Sequence, residues 1–379
     1  MKILFVSFYM TFPPVCGAAV VSMNTARFIN GRKIFFQLGE KTEKRKLKDG
    51  TILISQRLHS AGYLVKIMTI IKCIPKIIFI IKKQKPDYII LEGAAWTFYY
   101  YCLVRMMKLM GINSHVVYHS HNVDYVLRYQ KDAKVVAILT KWAEFRLLRS
   151  VEIVTAVSER DAKQFKELYQ VDSLVFPNGV DVQAFKAISN EDISQIKKKY
   201  GLTGNLILFM GLPDYPPNRE GLRFLIDKVM PALLMKKKDF KLVVIGGELK
   251  EKKSWINNPG SVPYEDVPKI VKACDICVAP IFSGSGTRLK ILEYMAAEKP
   301  VVSTKKGAEG LDIINGKEIY IADTENSFVQ MILHLFSHPE AALSAAINGR
   351  KMAESKYDWR IITKHFENLL CKNLDRSIN

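Results

Sequence analysis

The sequence has few of the features that mark membrane-spanning, zinc-binding or repeat proteins. It contains no Asp-x-Asp pair, no uncharged apolar run of transmembrane length, no repeat of solenoid period and no low-complexity tail. Six cysteines are scattered over 379 residues. The one Cys-x-x-C, Cys274 to Cys277, has no second pair or histidine cluster to complete a zinc site, so core packing is its expected role. This cysteine usage predicts buried thiols in a reducing compartment.

Acidic residues are scarce relative to basic ones, and the imbalance is concentrated at one end. The chain has 56 Lys and Arg against 37 Asp and Glu, a formal net charge of +19. Residues 1–120 hold 18 basic and 5 acidic residues, an excess of 13. A basic half indicates an anionic partner, such as a membrane surface, a nucleic acid or a phosphorylated substrate. Because the positive residues are not interleaved with a recognition motif, no nucleic-acid partner is expected, and a nucleic-acid-binding protein is the weakest alternative.

Apolar strand-like runs alternate with helical stretches along the chain, which is typical of parallel α/β sheets. The predicted strands are 3–8, 34–38, 52–55, 88–91, 115–119, 153–157, 206–210, 241–245, 276–280, 301–303 and 319–321. The first of them is preferred to a signal peptide, since no convincing small-residue cleavage site follows it. The turn-rich Pro177-Asn178-Gly179 marks the boundary between two Rossmann-like halves.

The segment 283–295, Ser-Gly-Ser-Gly-Thr-Arg-Leu-Lys-Ile-Leu-Glu-Tyr-Met, is the most informative for function. Its small residues open a predicted helix and let backbone N–H groups approach an anion. Arg288 and Lys290 add positive charge at the positive end of the helix dipole, which favours a bound anion. Glu293, one turn later, can accept two hydroxyls. A site for a diphosphate followed by a site for a diol fits a nucleotide sugar. The alternative is an ordinary strand–loop–helix junction with no ligand.

This string resembles the donor-binding segment of the family-four retaining glycosyltransferases of the bacterial cell-surface polysaccharide type. One branch of that family carries Gly-x-Gly-x-Arg-x-Lys-x-x-Glu, as residues 284–293 do here. More familiar members have Glu where this chain has Ser285. Any sugar contact of that first Glu is therefore lost, or moved to backbone groups or Thr287.

The resemblance implies the α/β GT-B fold, with two facing Rossmann-like domains. Residues 1–177 would bind the acceptor, joined by a C-terminal helix within 358–379 that crosses back to them. Residues 178–357 would bind the nucleotide sugar. The resemblance is strong from residue 176 to 312 and thinner before residue 119.

Further site residues follow from the same resemblance. His121-Asn122-Val123 matches the family's His-Asn-Val, which implies that His121 lies near the transferred sugar and the donor phosphate; helix capping is the alternative. The implied catalytic residues are His121, Arg288 and Lys290, the implied donor-binding residues are Gly211, Asn218, Gly286, Thr287, Glu293 and Glu309, and Gly17 is implied on the acceptor side. Asn218 is also expected to cap a helix that begins near Arg219. For Gly17 an ordinary turn, and for Glu309 a solvated turn, are open alternatives.

The expected activity is that of a retaining hexosyltransferase in polysaccharide biosynthesis. The donor would be a nucleotide diphosphate sugar, the acceptor a glycan or a lipid-linked sugar, and no cofactor is expected. Glycosyltransferases of the other common fold use an Asp-x-Asp pair to hold a metal. Since that pair is missing, Arg288, Lys290 and helix N-termini would neutralise the leaving group without metal. A nucleotide-sugar 2-epimerase of the same fold is the alternative. It would need carboxylates for proton abstraction, and the sequence provides only Glu293 and Glu309 as candidates.

Residues 63–85 alternate apolar blocks with six lysines. Lys72, Lys76 and Lys83 share one helical face, and Pro75 is expected to break or kink the helix. A basic amphipathic surface of this kind can lie on anionic lipid, whereas a core-facing helix with a solvated lysine edge is the alternative. Together with the basic N-terminal half, it favours a cytoplasmic protein held peripherally on the inner face of the cell membrane.

Overall fold

The computed structural model describes residues 1–59, 62–93, 96–129, 134–237, 239–284 and 288–378, with side chains as far as residue 371. Its contacts group into two compact units. The first consists of Met1–Asn178 with Ile362–Asn379, and the second of Gly179–Ile361. Each unit is built on its own, mostly parallel sheet, so the chain is an α/β protein of two Rossmann-like units.

The described part of the first unit contains an eight-stranded sheet. Its strands are β1 (Lys2–Ser7), β2 (Arg32–Gly39), β3 (Glu43–Lys46), β4 (Ile52–Arg57), β5 (Tyr88–Gly93), β6 (His115–Ser120), β7 (Ile153–Ala156) and β8 (Leu174–Val175). They lie in the order β3-β4-β2-β1-β5-β6-β7-β8, and only the edge pair β3–β4 is antiparallel among the described pairings. The central strands are almost wholly buried apolar runs, as expected for parallel strands covered on both faces.

Helices cover this sheet. They are α1 (Gly17–Phe28), α2 (Tyr63–Gln84), α3 (Thr97–Leu109), α4 (Asp124–Tyr129), α5 (Lys134–Leu148) and α6 (Glu159–Tyr169). The Ser158 hydroxyl accepts the backbone N–H of Asp161 at 3.2 Å and so caps α6. Helix α2 runs unbroken through Pro75, so the expectation of a break is wrong, while that of a kink stays a prediction. Its buried side, which includes Ile77 and Ile81, packs into the core of the unit.

The C-terminal helix (Trp359–Ile378) begins in the second unit and packs with the first from Ile362 onward. The Tyr88 hydroxyl donates to the carbonyl of Leu370 at 2.6 Å. The rings of Phe176 and Phe366 lie 4.7 Å apart. These contacts confirm the expected return of the helix to the N-terminal unit.

The second unit contains a six-stranded sheet within the described ranges. Its strands are β9 (Asn205–Met210), β10 (Phe240–Ile245), β11 (Ile256–Gly260), β12 (Ile276–Ala279), β13 (Val301–Ser303) and β14 (Tyr320–Ile321). They lie in the order β11-β10-β9-β12-β13-β14 and are all parallel. Parallel strands bring all their carboxyl ends to one edge, and the loops that follow β9, β12 and β13 therefore meet there.

Helices of the second unit pack on both sides of its sheet. They are α7 (Val182–Lys186), α8 (Asn190–Tyr200), α9 (Pro216–Phe224), α10 (Met230–Lys236), α11 (Val267–Ala273), α12 (Leu289–Ala296), α13 (Glu325–Ser337) and α14 (Pro339–Lys356). A π-helical turn, Leu225–Val229, joins α9 to α10, and a 3₁₀ turn, Tyr264–Asp266, precedes α11.

All eleven predicted strands are present, but β3, β8 and β11 are missed. Strand β3 reads Glu-Lys-Arg-Lys and β11 reads Ile-Asn-Asn-Pro-Gly, and neither has the apolar run on which a strand prediction depends. Cys73, Cys274 and Cys277 are buried, in agreement with the expected core role, whereas Cys16 and Cys371 are exposed. The prediction of buried thiols is wrong for those two. Among the described helices, none combines the length and apolarity that crossing a bilayer requires.

Candidate functional site

The loop that follows β9 is shaped by Gly211. This residue has φ +150°, and its amide donates to the carbonyl of Ile245 at 2.9 Å. A Cβ at this position would lie 2.6 Å from Nδ2 of Asn218 and 3.0 Å from Nζ of Lys290. Only glycine leaves room for these two side chains to approach the loop backbone.

Lys290, in the first turn of α12, joins that helix to the loop after β9. Its Nζ donates to Oδ1 of Asn218 at 3.0 Å and lies 4.3 Å from the ring centroid of Phe209. Nδ2 of Asn218 donates to the carbonyl of Leu212 at 3.1 Å. The Asn218 amide thus links the loop backbone to the lysine ammonium.

The expected capping role of Asn218 is wrong. Helix α9 begins at Pro216, with Tyr215 as its N-cap residue and no side-chain cap hydrogen bond. Proline at the first helical position has no N–H to satisfy, so the helix starts earlier than expected and Asn218 falls inside it. Its amide is then available to Leu212 and Lys290.

Two charged side chains of α12, Lys290 and Glu293, are only partly compensated by neighbouring groups of opposite charge. Burial and, to a smaller extent, the neighbouring Arg288 guanidinium lower the pKa of Lys290 to about 7, against the opposing effect of Glu293. Burial raises the pKa of Glu293 to about 7, against the positive charge of Lys290. A bound anion beside Lys290 would favour its charged form, and strongly shifted groups of this kind are typical of binding sites.

Arg288 immediately precedes α12. Its Nη2 donates to the carbonyl of Ser283 at 3.2 Å, and the Ser283 hydroxyl donates to Glu220 at 3.0 Å. The side chain is therefore placed over the start of the Gly-rich loop, whose Gly284 has φ +94°. Two predicted donor-binding residues, Gly286 and Thr287, lie outside the described residues, as does Ser285.

Two other charged residues of this unit are paired locally. In the loop after β13, the Glu309 carboxylate accepts a hydrogen bond from Lys306 at 2.5 Å. The Arg219 guanidinium donates to the carbonyl of Asp214 at 2.7 Å. The structure therefore brings together Gly211, Asn218 and Lys290, with Arg288 and Glu293 in electrostatic range of the lysine.

In the first unit, the predicted residues lie at the carboxyl edge of the sheet. Gly17 is the exposed first residue of α1, and the same helix carries Ser22. His121 directly follows β6, and its Nε2 lies 3.2 Å from Oε2 of Glu92 and 3.1 Å from the Tyr9 hydroxyl.

The alternative role of His121 as a helix cap is not supported. Glu144 accepts the backbone N–H groups of Asp124 and Tyr125 at the start of α4, at 2.9 and 3.2 Å. The helix start is therefore capped by Glu144, while the described hydrogen bonds of the His121 side chain go to Glu92, Tyr9 and Ser22.

Glu92 is a functional candidate that the sequence analysis missed. It is fully buried at the end of β5, and its Oε2 lies 3.0 Å from Nδ1 of His119, its register partner on β6. The available signal was a single carboxylate ending an apolar strand, Tyr-Ile-Ile-Leu-Glu-Gly, beside a strand that ends in histidines. Such a carboxylate is buried only where partners exist for its charge.

Glu92, His119 and His121 also offer carboxylate and imidazole atoms within 4.8 Å of one another. These atom types suit zinc and related ions. Here, direct hydrogen bonds join the carboxylate to both rings, and a third bond from Ser22 reaches the same oxygen at 2.5 Å. Oε2 of Glu92 is thus satisfied by hydrogen-bond donors, and metal independence stays a prediction.

Comparisons with known proteins match both halves of the chain. A family described as Glycosyltransferase Family 4 matches residues 39–184, and one described as Glycosyl transferases group 1 matches residues 204–338. A GDP-mannose-dependent monoacylated alpha-(1-6)-phosphatidylinositol monomannoside mannosyltransferase of Corynebacterium glutamicum is 24% identical over 58% of this chain and 62% of its own length. An uncharacterized 44.6 kDa protein in the cps region of Klebsiella pneumoniae is 29% identical over 42% of this chain and 44% of its own length. The chain thus spans less than two thirds of each of these relatives.

The fold is matched over nearly its whole length. The crystal structure of HepE of Anabaena in complex with UDP-glucose is similar with a TM-score of 0.75 and 17% sequence identity, over 98% of this chain and 100% of that one. At this identity the likeness concerns the fold.

Proposed function

The chain belongs to family 4 of the glycosyltransferases, with the GT-B fold, and we propose that it transfers a sugar from a nucleotide diphosphate sugar to a glycan or lipid-linked acceptor with retention of configuration. The proposal rests mainly on the contact of Lys290 with Asn218 beside the tight turn at Gly211. It holds a partly buried ammonium at the carboxyl edge of a parallel sheet, where ligands bind in α/β proteins.

In this proposal Arg288 and Lys290 hold the diphosphate, and Glu293 accepts the ribose hydroxyls. The low pKa of Lys290, caused first by burial and then by Arg288, supports an anionic ligand that would restore its charge. Placement of Lys290 in the first turn of α12 adds the favourable end of the helix dipole. Glu309 is proposed as a further sugar contact once it leaves Lys306.

The proposed reaction breaks the bond between the anomeric carbon and the diphosphate and forms one to the acceptor oxygen. The acceptor proton passes to an oxygen of the leaving phosphate, on the face from which the phosphate departs. Arg288 and Lys290 stabilise the negative charge that grows on the diphosphate, and we propose that they do so without metal. His121 orients the transferred sugar, and the loop at Gly17 lies on the acceptor side.

A role in cell-surface polysaccharide synthesis is proposed from the similarity to the protein of the Klebsiella cps region. A lipid-linked acceptor would require the protein to contact a membrane, and the first unit has an exposed apolar surface that suits such contact. On α5, Val135, Ile138, Leu139 and Trp142 are 73, 66, 64 and 48% exposed. Their spacing puts them on one helical face, so an apolar stripe faces outward.

Further exposed apolar residues continue this stripe onto two more helices. Trp142 contacts the exposed Phe98 of α3 at 6.4 Å between ring centroids, and the exposed Tyr63 of α2 stacks on the buried Trp96 at 5.9 Å. Lys66 lies 4.8 Å from the ring centroid of Trp96. Aromatic and aliphatic side chains flanked by lysines suit anionic lipid, and we propose that this face holds the protein peripherally on the inner face of the cell membrane.

A thermal-shift panel of UDP, GDP, TDP and ADP and their common sugars, with and without magnesium, tests the donor part of the proposal. A ligand that binds the native state raises the melting temperature. We expect a shift with one nucleotide that is independent of magnesium and much smaller in Arg288→Ala. A shift that requires magnesium would contradict metal independence, and no shift with any nucleotide would contradict the nucleotide-sugar donor.

A further inference from the structure

The Glu92 cluster has a definite arrangement of protons. The Ser22 hydroxyl donates its hydrogen to Oε2 of Glu92 at 2.5 Å. The Tyr9 hydroxyl lies 2.7 Å from Oγ of Ser22. Because the Ser22 hydrogen is already used, Tyr9 must donate in that contact. The Tyr9 oxygen then faces Nε2 of His121, 3.1 Å away, as an acceptor.

The charge state of the carboxylate leads to the same arrangement. Burial would raise the pKa of Glu92, but the neighbouring His119 and hydrogen bonds from both rings lower it to about 2. An ionised carboxylate only accepts hydrogen bonds. Nε2 of His121 therefore faces two acceptors, Glu92 and Tyr9, and must itself carry a hydrogen.

His121 is held in its neutral form. The residue is 6% exposed, and burial lowers the pKa of its imidazole despite the hydrogen bond to Glu92. A neutral imidazole has one N–H, and here it is on Nε2. Nδ1 consequently keeps a lone pair. This buried nitrogen has no hydrogen-bond partner within the described part of the chain.

We propose that Glu92 is a positioning residue that fixes His121 as its Nε2–H tautomer, so that Nδ1 accepts a hydrogen bond from a hydroxyl of the sugar substrate. The assignment rests on the proposed function for the substrate, but the tautomer itself does not. It excludes His121 as a donor to a phosphate oxygen, since the nitrogen left for a ligand has no hydrogen. The ring then selects a ligand that donates, which a sugar hydroxyl does and an ionised phosphate does not.

Long-range ¹H–¹⁵N spectra of the full chain with ¹⁵N-labelled histidine test the tautomer without any ligand. His121 is assigned by the signal lost in His121→Gln. We expect a neutral ring protonated on Nε2 near pH 7.5 in the wild type. A ring protonated on Nδ1, or an imidazolium, would overturn the proposal, as would a stoichiometric zinc content with a spectrum that changes on adding EDTA. The wild-type spectrum decides the matter even where a Glu92 variant does not fold.

Glu92→Gln tests the positioning role. The amide group has the same shape but can donate as well as accept, so the His121 signal should change to a mixture of tautomers. Asp161→Asn is the matched control, since Asp161 is a buried carboxylate of the same unit that bonds Ser158 at the start of α6. It should keep the wild-type His121 signal. An unchanged signal in folded Glu92→Gln would overturn the role.

Kinetics separate this proposal from the proposed function. With the donor that the thermal-shift panel selects, Glu92→Gln should reduce kcat/KM roughly tenfold to a hundredfold. The Kd of the matching nucleotide diphosphate, which lacks the sugar, should stay unchanged. An equal loss of affinity for that nucleotide would overturn the assignment to a sugar hydroxyl. If no nucleotide binds at all, the proposed function fails while the tautomer result stands.

Discussion

Lys290 donates a hydrogen bond of 3.0 Å to Asn218, a residue 72 positions earlier in the chain. This contact ties the first turn of α12 to the loop after β9 and leaves the ammonium against the Phe209 ring rather than against a carboxylate. The lysine is thus held in place by a neutral amide and an aromatic face. Its charge is poorly compensated, which gives the site a dependence on pH.

The affinity for a nucleotide diphosphate should fall as the pH rises above 7. Burial lowers the pKa of Lys290 to about 7, so that in the free protein the ammonium is lost above that value. A diphosphate prefers the charged form, and binding at higher pH must take up a proton, which costs at most about tenfold in affinity per pH unit. Calorimetric titration with the nucleotide that the panel selects, at pH 7, 8 and 9 in buffers of different ionisation enthalpy, measures both the affinity and the proton uptake.

Lys290→Arg is the matched variant for this experiment, because a guanidinium stays charged throughout the range. Its affinity should vary little between pH 7 and 9, whatever its absolute value. A wild-type affinity that is constant from pH 7 to 9, without proton uptake, would contradict the assigned role of Lys290.

Gly211→Ala should weaken both the fold and the donor site. A Cβ would lie 2.6 Å from Asn218 and 3.0 Å from Lys290, and φ is +150°. We expect a loss of roughly 1–3 kcal/mol in the free energy of unfolding, measured by denaturant titration, together with weaker nucleotide binding.

Gly316→Ala separates collision from backbone strain. Gly316 lies in the same unit with φ +80°, and a Cβ there would meet nothing within 4 Å. Its substitution should cost about 1–2 kcal/mol through backbone conformation alone and leave nucleotide affinity unchanged. Equal effects of the two substitutions on nucleotide affinity would contradict the role given to the Gly211 turn.

Local sequence pattern was sufficient for eleven of the fourteen strands in the described part of the chain. Buried parallel strands are continuous apolar runs, so the strands that carry the site were predictable. Residues 283–293 form one local string, and its charges follow from neighbouring positions. Strand β3 consists only of charged residues, so no apolar pattern marks it in the sequence. It is held in the sheet by the backbone pairing of Glu43–Lys46 to β4.

The remaining contacts depend on long-range pairing. Asn218 looks like a helix cap in sequence, but the helix starts at Pro216 and its amide reaches Lys290 instead. The importance of Glu92 becomes evident only in the folded sheet, where the pairing of β5 with β6 places it opposite His119. Nothing in the residues adjacent to Glu92 indicates this partner, which lies 27 positions away.

Glu293→Ala should remove most of the discrimination between a ribonucleotide and its 2′,3′-dideoxy analogue. Burial raises the pKa of Glu293 to about 7, so the carboxyl can accept hydrogen bonds from ribose hydroxyls in both of its forms. We expect the wild type to bind the ribonucleoside diphosphate more tightly by about 1.5–3 kcal/mol, and the variant to bind both alike. The four Kd values form a thermodynamic cycle, and an unchanged difference in the variant would contradict the contact.

The exposed apolar stripe of α5 should carry vesicle binding. Ile138 and Leu139 are 66 and 64% exposed, and burying one such side chain in lipid contributes about 1.5–3 kcal/mol. Ile138→Ser with Leu139→Ser should therefore weaken binding to phosphatidylglycerol vesicles at least roughly tenfold in a flotation assay. Transfer to a water-soluble acceptor should persist, because neither side chain belongs to the proposed catalytic or donor-binding residues.

Met235→Ser is the control for the loss of an exposed apolar side chain, since Met235 is 87% exposed but lies in the second unit. It should bind vesicles like the wild type. Binding to anionic vesicles should also weaken with salt, because lysines such as Lys66 contribute through charge, whereas vesicles of phosphatidylcholine alone should bind poorly at any salt concentration. If the α5 double variant floats as well as the wild type, the apolar stripe is not the membrane contact, and the basic face of α2 would have to bind lipid by charge alone.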